Sequence, residues 1–223
     1  KYDEQKERPP PSDFLWYALY AFAGLGLELV LLGAVEPLLF HGADSSAYTA
    51  GQSILHWLLT CLCWGGIAVL LVRGARRKLG FTVLCRERPT RRGVALAAVL
   101  TALCVLLNAL DWGTLKIIGE FTKKGPLLFA FQYLYYLFEV ALVFLIVVFG
   151  QQFAERLLGR ASRIPFGGAV LCCTWGAIHL LTQGGLSGGA GVMVFALLYG
   201  CIYLLLRRNA ALSYGMMALA FVL

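Results

Sequence analysis

From Ala50 to Val72 the chain carries no Asp, Glu, Lys or Arg, and uncharged apolar runs of about 20 residues recur along its length. A helix rising 1.5 Å per residue covers a hydrocarbon core of roughly 30 Å with such a run. Only 14% of the residues are charged, against roughly 25% in a soluble domain. The expected fold is therefore all-α, a polytopic transmembrane helix bundle of about seven helices. The apolar segments read as 14–40, 50–72, 93–112, 126–150, 166–182 and 191–206. A last one begins near Ala210 and is too short to span before Leu223. Pro126 and Pro165 mark helix starts, because proline is tolerated in a first turn. The glycines of 183–191 read as a tight loop. One transmembrane domain, 14–223, follows a polar, proline-rich stretch, 1–13, expected to be a disordered tail. The chain opens on Lys1 and stops inside an apolar run, so a longer protein is expected.

Basic residues fall on alternate connections. Of the 19 Lys and Arg, 16 lie in the N-terminal tail, the 73–92 loop, the 151–165 connection and the pair Arg207/Arg208. The other three, Lys116, Lys123 and Lys124, lie on the opposite side. This asymmetry predicts a cytoplasmic N-terminus and makes most of the +7 net charge topological. The lipid bilayer is the expected partner and nucleic acid is not. The seven cysteines lack zinc-knuckle spacing, and no P-loop, dinucleotide fingerprint or HExxH motif is present. No metal or cofactor is implied.

Ionisable groups at bilayer depth cost roughly 2.5–3.5 kcal/mol on insertion scales, so they face a partner or a cavity. Glu28 lies midway along the first segment and Glu139 midway along the fourth, joined by Asn108, His56 and His179. Two readings stay open for Glu28 and Glu139: interhelical hydrogen bonds, or the lining of a polar cavity. Glu36 and Asp111 sit near outer ends, where water is expected to reach them. At 100° per residue, Glu139 and Gln151 point roughly 120° apart. Gln151 and Glu155 share one face, and Gln152 and Arg156 another.

Three stretches in order carry a family pattern: QQFAER (151–156), TWGAIHL (174–180) and the apolar pair of helices in 195–223. Over roughly 126–223 the chain resembles the CPBP family of intramembrane proteases, which includes CAAX endopeptidases and bacterial abortive-infection proteins. That family carries Glu-Glu-x-x-x-Arg at the cytoplasmic end of a span, Phe-x-x-x-His on the next helix and His-x-x-x-Asn (or Asp) on the last. The resemblance implies catalytic positions at Gln151, Gln152, Arg156 and His179, with Trp175 in the phenylalanine place. It also implies a bacterial plasma membrane rather than the endoplasmic reticulum. In the family the glutamates are thought to activate water while histidines stabilise the oxyanion. Glutamine has nearly the shape of glutamate but cannot take a proton from water, and general-base help is worth typically 10²–10⁴-fold. The third signature would fall on Leu219 and Leu223, both apolar. The resemblance therefore implies a pseudoenzyme, with a former cleft lined by Gln151, Gln152, Arg156, Trp175 and His179. Glu139, Glu28 and Asn108 are further binding residues, and a membrane protein or peptide is the expected partner. The alternatives are an active CAAX-type endopeptidase and a small transporter or channel component using Glu28, Glu139, Asn108 and His56.

Overall fold

The computed structural model describes residues 9–182 and 186–223, apart from the side chains of 181, 182 and 186–188. Among the described residues it forms seven apolar helices and no strand: α1 (Pro11–Leu39), α2 (Ala50–Lys78), α3 (Arg91–Trp112), α4 (Lys116–Leu158), α5 (Phe166–Leu180), α6 (Leu186–Leu205) and α7 (Ala210–Val222). The first four are long and apolar enough to cross a membrane, and the last three are shorter. Large apolar side chains face outward, with Leu62 73% and Leu110 71% exposed. Those of α4 between Leu142 and Phe149 face inward, including Ile146, Val147 and Phe149. Outward leucines around a packed interior are what lipid in place of water requires, and the four long apolar helices suggest a membrane protein.

Several boundaries differ from expectation, each for a local reason. The tail is shorter than 1–13 because α1 starts at Pro11, whose fixed φ suits a first helical position; residues 1–8 lie outside the described residues. Residues 113–125 are not all loop. Lys116–Lys124 are helical, and the break comes at Gly125 (φ 71°, ψ 170°), where the residue before Pro126 avoids the α region. The supposed 183–191 loop is largely the start of α6, helical from Leu186, with 183–185 outside the described residues. Residues 151–158, placed in a connection, are the last turns of α4.

Caps set the helix ends. Thr49 and Gln52 form a reciprocal capping box at the start of α2, and Thr90 accepts from the Gly93 N–H at the start of α3. α4 ends at Gly159 in the left-handed conformation (φ 65°). Two helices contain a widened π-turn. In α1 it covers Leu31–Val35, just before Pro37, whose ring and missing N–H a regular turn would not accommodate. In α5 it covers Cys172–Gly176.

α4 is the central helix, packed by α1, α2, α5 and α7. α5 wedges between α4 and α6 on glycine. A Cβ at Gly167 would collide with the Val147 carbonyl, and one at Gly168 would lie 2.8 Å from the Ala196 carbonyl oxygen. Such small residues let membrane helices touch backbone to backbone. Helix directions alternate, so the starts of α1, α3, α5 and α7 share one end, which also carries Arg76, Arg77, Lys78, Arg207 and Arg208. We call it the basic end.

Candidate functional site

A cavity of about 910 Å³ opens among α1, α3, α4, α5 and α6, in the half of the bundle away from the basic end. Glu28, Asn108, Glu139, Trp175 and His179 all line it, five of the eight residues expected as catalytic or binding positions. The helical period explains α4's share of the wall. Tyr135, Tyr136 and Glu139 are three and four residues apart and therefore present one face. The π-turn of α5 shifts the helical phase between its two halves, and both Trp175 and His179 line the cavity. The Trp175 indole N–H donates to Glu139 Oε1 at 3.3 Å. His179 Nδ1 lies 2.6 Å from the Trp175 carbonyl oxygen. A carbonyl only accepts, so Nδ1 carries the proton and Nε2 is the other nitrogen available to the cavity. The Asn108 side-chain amide donates to the Ala220 carbonyl at 3.0 Å and ties α3 to α7.

Glu28 meets both sequence readings at once, lining the cavity and bonding between helices. Its Oε1 lies 3.3 Å from His56 Nε2 and accepts from the Tyr135 hydroxyl at 2.8 Å. His56 Nδ1 lies 2.7 Å from Glu36 Oε1, and Glu36 Oε2 accepts from the Tyr48 hydroxyl at 2.9 Å. With carboxylates on both ring nitrogens, either the imidazole carries two protons or a carboxyl carries one. Glu36 corrects the sequence reading. It was expected within reach of water and is fully buried, because Tyr48 folds back over it and His56 meets it from α2.

The glutamine motif lies elsewhere. Gln151 is 1% exposed and its amide is fully engaged. It donates to Glu155 Oε1 (2.8 Å) and to the Ile164 carbonyl (3.2 Å), and accepts from the Gly167 N–H (3.0 Å). Glu155 Oε1 also accepts from the Ser162 N–H (3.1 Å) and from Arg208 (2.5 Å). These contacts clasp the end of α4, the start of α5 and the α6–α7 turn together. Gln152 and Arg156, on the neighbouring face, border a shallow surface depression beside Pro9, Pro10 and Pro11. The Arg156 guanidinium lies 5.5 Å from the Phe14 ring centroid.

The expected single cleft is therefore divided. α5 meets α4 near Gln151 at Gly167, twelve residues before His179, or about 18 Å along a helix. Trp175 and His179 belong to the cavity, whereas Gln151, Gln152 and Arg156 do not line it. The physical reason is the roughly 120° between Glu139 and Gln151 on one helix: when one faces the cavity, the other faces the α4–α5 seam.

Sequence reasoning missed Tyr135, Tyr136, Lys116 and Phe221, which also line the cavity. A tyrosine four residues before an intramembrane glutamate was the available signal for Tyr135. No such signal existed for Lys116, whose Nζ donates to the Phe221 carbonyl at 3.0 Å and sits 4.4 Å from the ring centroids of Tyr136 and Phe221. The Trp64 indole N–H, also in the cavity wall, has no hydrogen-bond partner among the described residues. Among the described residues no three His, Cys, Asp or Glu side chains gather as metal ligands. No family, curated protein or solved structure matches this chain.

Proposed function

We propose that this chain is a CPBP-like integral membrane protein without peptidase chemistry that holds a membrane-borne ligand in the cavity between α1, α3, α4, α5 and α6. One observation carries the reading: Glu28, Asn108, Glu139, Trp175 and His179 converge on a single cavity of about 910 Å³. That volume sits near the top of the roughly 300–1,000 Å³ range of small-molecule sites. It suits an amphiphile or the end of a membrane peptide. A whole partner helix, about 10 Å across and 30 Å long, does not fit. The loss of chemistry is supported twice over. The Gln151 amide has no basic oxygen, and its three hydrogen bonds commit it to the α4–α5 seam. The 16-to-3 distribution of basic residues supports a cytoplasmic basic end, with the cavity in the outer half of the membrane.

The test is photocrosslinking in native membranes with benzoylphenylalanine at Phe195, which lines the cavity, and at Leu62, which faces outward. A discrete adduct at Phe195 and bulk lipid alone at Leu62 is the expected result. Bulk lipid at both positions sinks the reading. A hydrolytic second reading rests on Glu139 and His179 sharing the cavity wall. It requires cleavage of a CAAX-type peptide by the purified protein, abolished by Glu139→Gln.

A further inference from the structure

Glu139 differs from the other interior carboxylates. Glu28 and Glu36 face His56, Glu120 pairs with Lys124 at 3.4 Å, and Glu155 pairs with Arg208. Glu139 has no cationic or imidazole partner within 4 Å among the described residues, and its hydrogen bond is the single indole N–H of Trp175. A carboxylate held in a low-dielectric wall is strongly disfavoured without a counter-charge or further donors.

The wall around it is aromatic. Trp64 and Tyr135 lie 4.8 Å apart by ring centroids, Tyr135 and Tyr136 5.7 Å, Tyr136 and Phe221 5.4 Å, and Phe221 and Trp175 6.2 Å. The rings make a continuous collar lining the cavity. Ring faces attract cations, and aromatic cages hold quaternary ammonium ligands. The chain already uses this chemistry at one point of the collar, where the Lys116 ammonium sits on Tyr136 and Phe221.

We propose that the cavity binds an amphiphilic organic cation, an ammonium or guanidinium group on an apolar body, with the positive centre between Glu139 and the aromatic collar. This rests on the ligand-cavity reading above and names the chemistry it selects. Glu139 supplies the charge, Trp175, Tyr135 and Tyr136 supply ring faces, and Phe22 and Phe195 cover the apolar body. The other charged or titratable groups in the wall are Glu28, already bonded to His56 and Tyr135; Asp111, exposed on α3; His179; and Lys116. Lys116 is the internal competitor, because a four-carbon stem lets its ammonium swing toward Glu139.

The experiment uses two ions of equal shape and opposite charge, tetraphenylphosphonium and tetraphenylborate. Saturable binding to the protein in nanodiscs is measured against empty nanodiscs. Gly191→Trp supplies a blocked cavity, since Gly191 lines it and a Cβ there meets nothing within 4 Å. Saturable tetraphenylphosphonium binding is expected, lost in Gly191→Trp and weakened at least tenfold in Glu139→Gln, with no saturable tetraphenylborate binding. Equal binding of both ions, or phosphonium binding unchanged in Glu139→Gln, overturns the cation inference and leaves a ligand cavity standing. No saturable binding of either ion, in the parent and in Lys116→Met alike, overturns both. Displacement of bound phosphonium by dodecylamine but not by a Leu-Lys-Leu peptide assigns the cation to a free amphiphile, and the reverse assigns it to a peptide side chain; displacement by neither overturns the inference.

Discussion

Gln151→Glu introduces an acid at the place where the CPBP pattern carries one, and the packing opposes it. The amide nitrogen donates to Glu155 Oε1 and to the Ile164 carbonyl, and a carboxylate oxygen can do neither. A hydrogen bond to a charged group contributes about 1.5–3 kcal/mol and a neutral one about 0.5–1.5 kcal/mol. The bond from the Gly167 N–H survives, because the other oxygen is kept. The new carboxylate also meets Glu155 where 2.8 Å separated donor from acceptor, so repulsion adds to the loss. The expected total is about 3–5 kcal/mol. At about 2–4 °C per kcal/mol for a chain of this length, Tm falls by about 6–20 °C. Gln151→Met loses all three bonds without repulsion and should cost about 2.5–6 kcal/mol by the same figures. The free cysteines make a thiol-reactive dye a direct melting assay, since Cys61 and Cys104 are buried until the bundle opens. A Gln151→Glu protein that melts within about 2 °C of the parent refutes this account of the clasp.

Three further outcomes follow from the packing. His56→Phe removes the group between Glu28 and the fully buried Glu36, and should cost about 3–5 kcal/mol by the same melting assay; adding Glu36→Leu should recover part of that loss. Gly167→Ala drives a methyl into the Val147 carbonyl and should cost about 3 kcal/mol or more, whereas Gly66→Ala meets open space and should stay within about 1 kcal/mol of the parent, read by size-exclusion profile and Tm. Arg208→Ala breaks a partly buried pair with Glu155 and should cost about 1–2 kcal/mol; Arg207→Ala, whose pair with Glu87 is more than half exposed on both sides, should change Tm by no more than about 2 °C.

The sequence by itself determined the solvent and the class of fold. Long uncharged runs required helices in lipid, because hydrocarbon leaves backbone groups no partner but each other. Pro126 and Pro165 marked where helices start. Spacing along α4 already showed that Glu139 and Gln151 point apart and that Gln151 and Glu155 share a face, where the structure pairs them. Periodicity gives such angles only relative to one another. Which of the two faces the cavity depends on how α4 is turned against α1 and α5, and glycine contacts such as Gly167 against Val147 decide that. The π-turns of α1 and α5 also escaped the pattern, since a single widened turn leaves no composition signal and yet re-aims every later side chain. The burial of Glu36, the meeting of residues 28, 56 and 135, and the aromatic collar around Glu139 join segments up to 107 residues apart. Contacts of that range are set by helix packing, and only the tertiary structure decided them.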